Sequence, residues 1–184
     1  VFSGEREEMF QSFRSLIFAL ALAILLTYMI MAAQFESLLH PFLIMITIPM
    51  GAAGAFFALW ATGQTINVIS IIGMVVLVGL VVDNAIVKID YTRQLRREGV
   101  GLRAAVAESG QVRLRPILMS TLSTLFGLVP MALGLEAGAE LMRPLAITVI
   151  GGLTFSTFLT LIIIPVLYEA VEARKERKQS RSAA

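Results

Sequence analysis

Asp83 is the one ionisable side chain across positions 68–87, in the run VISIIGMVVLVGLVVDNAIV, and Asn84 stands beside it. A charge placed in hydrocarbon costs at least ~2.5 kcal/mol on insertion scales, so such residues turn toward a partner, a water path or a bundle interior. A carboxyl held between desolvation and a nearby cation can take up and release a proton near neutral pH. The chemistry to which Asp83 points is therefore proton or ion handling. The alternative is a structural ion pair or hydrogen bond that holds a bundle together. On a helix, Gly79 and Val76 share the face of Asp83, and Asp90 lies two turns beyond. Glycine one turn away lets another helix approach the carboxylate.

Lys88 follows Asp83 by five residues, which is roughly 7–8 Å along a helix and about 140° around it. That is a poor spacing for an ion pair. The expectation for Lys88 is a topology anchor whose ammonium reaches the nearer interface, with relay support as a second reading. Further on, RLRPILMSTLSTLFG places Arg113 and Arg115 ahead of Ser120, Thr121, Ser123 and Thr124. Hydroxyls relay protons or hold water, but singly they often bond back to the carbonyl four residues earlier. Four hydroxyls within five positions outweigh any one of them, and Thr121 and Thr124 are candidate relay support.

Other chemistry is excluded by composition. The chain has no cysteine, so disulfides, thiol catalysis and thiolate metal sites are absent. A single histidine, His40, makes neither a metal cluster nor a soluble-type serine–histidine site. No GxxxxGK[ST] loop or zinc signature is present. The expectation is not an enzyme, with no cofactor, no metal and no nucleic-acid partner.

The elements that must position Asp83 are membrane helices. The 184 residues are 57% hydrophobic and 15% charged, against about 45–50% apolar and about 25% charged in soluble domains. Five segments reach spanning length: about 16–33, 41–61, 68–91, 116–135 and 144–168, the third with a helical extension to Arg97. Backbone groups in lipid must bond internally, so the spans are helices in an all-α integral membrane bundle. Residues 15–172 form this bundle. Between the third and fourth spans, 92–115 is expected to be a cytoplasmic connector with a short amphipathic helix ending near Gly110.

Charge orients the bundle. Arg93, Arg96, Arg97, Arg103, Arg113 and Arg115 crowd the third connection, and Arg174, Lys175, Arg177, Lys178 and Arg181 the basic tail 173–184. The connection at 62–67 has no Lys or Arg. Basic loops stay cytoplasmic. Five spans then put the N-terminus and the Gln64 and Gly138 loops outside, and the C-terminus inside. Small residues repeat four apart at Thr148, Gly152, Ser156 and Thr160, and at Ala19, Ala23 and Thr27, which suits close helix packing. Pro49, Pro130 and Pro165 each remove a backbone donor within or near a span. The chain starts at Val1, with an acidic EREE before its first apolar run. The expectation is the C-terminal piece of a longer polypeptide.

Taken in order, AAQFESLLHPFLIM, GLVVDNAIVKIDY, LRREG, RLRPILMSTLSTLFGLVPMALG and RPLAITVIGG resemble the C-terminal membrane half of resistance–nodulation–division (RND) efflux transporters. The resemblance covers nearly the whole chain. It implies that the five spans are the last five of twelve, and that 1–14 is the end of a periplasmic insertion. It also implies a homotrimer in the bacterial inner membrane, with a periplasmic adaptor and an outer-membrane channel as partners alongside the missing N-terminal half. Drug exporters of the family carry a Lys at the position of Asp83, paired with acids in the other half. An Arg and a Thr on the next span match Arg113 and Ser120. The reversed charge at Asp83 departs from that pairing. The relay set is then Asp83, Asn84, Arg113 and Ser120, with Gly79, Gly152 and Ser156 as packing residues.

The expected function is the membrane portion of a proton-motive-force-driven export pump, a substrate:proton antiporter. The rivals are a non-transporting scaffold or truncated remnant, and a related protein- or lipid-export accessory.

Overall fold

The computed structural model describes residues 2–135 and 138–182, with the side chains of 2–7, 9, 39 and 173–182 left aside. Within these residues every regular element is a helix, and five helical segments are long and apolar enough to cross a membrane. α1 covers Phe2–Phe35, α2 Leu39–Met45, α3 Thr47–Ala61, α4 Val68–Arg97, α5 Leu102–Leu133 and α6 Ala139–Ser182.

Local chemistry sets the helix ends. Asn67 caps α4: its side-chain oxygen accepts from the Ser70 N–H at 2.8 Å, and the Ser70 hydroxyl accepts from the Asn67 N–H at 2.9 Å. Two orphan donors are thereby satisfied at once. Gly63 closes α3 in the left-handed region at φ 68°, with Gln64 N–H bonded to Leu59 O at 2.9 Å. The second apolar span is split into α2 and α3 at Ile46. Pro49 explains the split, because it has no N–H for the Met45 carbonyl and its ring crowds that carbonyl.

The expected helix end near Gly110 does not occur. α5 runs unbroken from Leu102 to Leu133, through Gly110 and Pro116. Its first turns are held from outside: Ala105, Val106 and Ser109 are buried, and the Thr92 hydroxyl donates to the Ser109 oxygen at 2.7 Å. Tertiary packing thus overrides two residues that weaken a helix in isolation. At 32 residues, α5 is about 48 Å long at 1.5 Å per residue.

α6 is the centre of the bundle, packed on α2, α3, α4 and α5. A methyl group built on Gly54 would overlap Phe155, and one on Gly151 would overlap Ala58, so α3 and α6 meet almost backbone to backbone. The stripe Thr148, Gly152, Ser156 and Thr160 is buried in this region. The stripe on α1 is a correction. Ala19 is exposed, Ala23 and Thr27 are only half-buried, and α1 instead seats Met31 and Phe35 in the core. α1 packs mainly on α2 and α4.

One end of the bundle gathers segments of α1, α2, α4, α5 and α6. Met31, Phe35, Ile89, Val106, Ile164 and Tyr168 pack together there. Arg93 lies over the Phe35 ring at 5.2 Å, His40 faces Glu172 at 3.4 Å, and Arg103 pairs with Glu169 at 2.8 Å. The basic tail side chains from Arg174 onward lie outside the described ones.

Candidate functional site

α4 carries polar residues on two opposite faces. Asp83 is on the outer face with Val76, Gly79 and Asp90, all exposed. Nothing lies within 4 Å of a methyl built on Gly79, so no helix of this chain packs there. Asp83 makes no hydrogen bond or ion pair among the described residues. Hence the glycine packing expected near the carboxylate is not made by these five spans, whereas Gly152 and Ser156 lie within the α3–α4–α6 interior.

The inner face of α4 reads Asn84, Lys88, Thr92, one turn apart, all buried. Asn84 Nδ2 donates to the Thr121 hydroxyl at 3.4 Å, and Thr121 lies 3.4 Å from the Thr157 hydroxyl. Thr92 bonds Ser109 on α5 and the Lys88 carbonyl. The expectation that Lys88 snorkels to an interface is overturned. Its side chain is folded inward, the residue is 2% exposed, and Nζ donates to the Leu161 carbonyl of α6 at 3.0 Å. The α6 carbonyl supplies the ammonium with an acceptor inside the bundle.

The remaining relay candidates are on α5. Arg113 is half-buried with its guanidinium 4.6 Å over the Tyr91 ring, and it forms no ion pair with Asp83. Ser120 is exposed. The Thr124 hydroxyl bonds back to the Ser120 carbonyl at 3.0 Å, the local pattern expected of a single helical hydroxyl. Asp83 and Ser120 thus face outward, Asn84 and Thr121 face inward, and Arg113 is half-covered. Sequence reasoning did not single out Thr157 or Thr92, and took Thr160 only for a packing residue. The one-turn spacing of Asn84, Lys88 and Thr92 was the available signal. Among the described residues no group of His, Cys, Asp or Glu is placed to hold a metal ion.

The fold is that of an all-helical integral membrane module. The chain belongs to the AcrB/AcrD/AcrF family of RND efflux transporters, whose family model matches residues 1–172. It is 40% identical over 176 residues to the swarming motility protein SwrC of Bacillus subtilis (strain 168), covering 95% of this chain and 17% of that protein. It is 38% identical over 177 residues to the multidrug resistance protein MdtC of Erwinia tasmaniensis, covering 96% of this chain and 17% of that protein. The crystal structure of a heavy metal efflux pump superposes with a TM-score of 0.81 at 34% identity, over 91% of this chain and 16% of that one. The chain therefore spans about 17% of the length of the curated relatives it matches.

Proposed function

We propose that this chain forms part of the membrane domain of a proton-motive-force-driven export pump, and that Asp83 exchanges the proton. The observation that carries the reading is the outward placement of Asp83. α4 satisfies its other intramembrane polar groups within the bundle, yet leaves one carboxylate bare beside an open glycine. A carboxylate is not left facing lipid at such cost, so further helices cover this face. These are the N-terminal half of the same transporter. Protonation removes the charge, and the covered face then prefers a different packing, which is the differential preference that drives a two-state cycle.

The basic end of the bundle is cytoplasmic and the N-terminus periplasmic, as the arginines near His40 and Tyr168 favour. In this reading the pump is a multi-pass protein of the bacterial inner membrane, a homotrimer, joined by a periplasmic adaptor and an outer-membrane channel. Relatives are named for multidrug resistance and for heavy metal efflux, and either cargo class suits a pump whose substrate is selected outside these spans.

Asp83→Asn in the complete transporter tests the assignment. Asn keeps the shape and hydrogen-bonding capacity but cannot ionise. Expression and oligomerisation stay near parental, while gradient-driven export is lost. Asp83→Glu retains part of the activity. Parental export by Asp83→Asn under a proton gradient would leave Asp83 a packing residue and favour the scaffold reading.

A further inference from the structure

We infer that Lys88 is a positioning residue, which ties the helix bearing Asp83 to the proline turn of α6; the inference rests on the proton-exchange reading of Asp83. In a regular helix the N–H at position 165 would bond the Leu161 carbonyl. Pro165 has no N–H, so that carbonyl lacks its helical donor. Lys88 Nζ supplies the donor at 3.0 Å, with the Thr160 carbonyl at 3.5 Å. No carboxylate pairs with Lys88 among the described residues.

Stability alone does not call for this arrangement. A buried charge held by carbonyls is no better for stability than a packed apolar side chain of the same volume. The ammonium instead supplies a directional link between two helices, across 73 residues of chain. Lys88 and Asp83 are about 140° apart on α4, so Asp83 faces the open side while Lys88 grips α6. A shift of α4 that follows a charge change at Asp83 pulls on the Leu161 carbonyl. α4 and the Pro165 turn of α6 then move together. The neighbouring α4 contact, Asn84 to Thr121 at 3.4 Å, is a neutral and longer bond to α5.

The test uses the complete transporter and needs no knowledge of its cargo. The probe is dicyclohexylcarbodiimide, which modifies protonated carboxyls in membranes. Modification is read on the peptide that holds Asp83 by mass spectrometry. Pro165→Ala restores an N–H to the Leu161 carbonyl and keeps the charge at position 88. Lys88→Met removes the charge and leaves the carbonyl orphaned. The double variant leaves neither group unpaired. Lys88→Met lowers the thermal midpoint with Pro165 present and much less in the Pro165→Ala background, so the effects are not additive. Asp83 labelling departs from the parental rate by about tenfold in Lys88→Met, the effect expected of one buried polar group left unpaired. It stays displaced in the double variant, although that protein is stable.

Additive midpoints would overturn the tie. Parental labelling of Asp83 in both Lys88→Met and the double variant would reduce Lys88 to a structural contact and overturn its positioning role. Failure of the proton-exchange reading shows separately, as an Asp83 that is unlabelled in the parent and dispensable for export. The thermal cycle decides the tie in that case too.

Discussion

Asp83 and Asn84 are neighbours in sequence and opposites in placement. Asn84 is buried and hydrogen-bonded to Thr121, while Asp83 faces outward. The carboxyl therefore lies outside the packed interior of the five spans. The isolation of Asp83 in an apolar run was plain in the sequence, because a lone charge needs only composition to be seen. The fate of Lys88 was not. Its acceptor is a backbone carbonyl on another helix, freed by a proline far along the chain, and no local spacing reveals such a partner. Arg113 tests the relay at this scale. Its stacking on Tyr91 is worth about 0.5–1 kcal/mol if taken as an exposed cation–π contact, so Tyr91→Leu should shift the thermal midpoint only slightly. Arg113→Ala should cut proton-driven export by about tenfold or more, the scale of one lost charge interaction. Ser120→Thr, which keeps the hydroxyl, should export near the parental rate. Export assays on these three variants check the order, and a parental rate for Arg113→Ala removes Arg113 from the relay.

Helix existence was legible from apolar run length, but helix ends were not. The length of the apolar run places the start of the fourth span at Pro116. The α5 helix instead begins at Leu102, since its first turns gain burial against α4 and α6. The second span was read as one helix, and Pro49 divides it. Small-residue stripes showed a similar limit. The α6 stripe is buried and the α1 stripe is not, because a stripe states which face permits close approach and not whether a neighbour arrives. Gly151 and Gly79 make that difference measurable. A side chain at Gly151 meets Ala58, whereas one at Gly79 meets open space. Gly151→Val should destabilise the bundle by about 1–3 kcal/mol or more, as overpacking does. Gly79→Val should leave the thermal midpoint of the isolated five-span chain unchanged. In the complete transporter the same substitution should impair assembly, because the open face is then covered. Thermal unfolding of both forms checks this, and equal tolerance in the complete transporter argues against helices packing on the Asp83 face.

At the scale of the molecule, the bundle is centred on α6, with α1 at the periphery. α1 is hardly buried within this chain although it is among the most apolar segments. The two ends of the bundle differ in charge. One end collects Arg93, Arg96 and Arg103 near His40 and Tyr168. The opposite end carries the short connection through Gly63 and the Asn67 cap, without a Lys or Arg in 62–67. That asymmetry was readable in the sequence, and the fold makes it physical by bringing basic residues from α4 and α5 to one end. Orientation follows from it by the bias of cytoplasmic loops toward Lys and Arg. The chain contains no cysteine, so single cysteines report position without background. Cysteines at Gln64 and Glu140 should react in intact cells with a membrane-impermeant maleimide. Cysteines at Arg96 and Lys175 should react only after the membrane is opened. Labelling of position 96 from outside intact cells would invert the bundle. It would also place the basic end of the bundle on the periplasmic side. A proton entering from the periplasm would then approach Asp83 from that end.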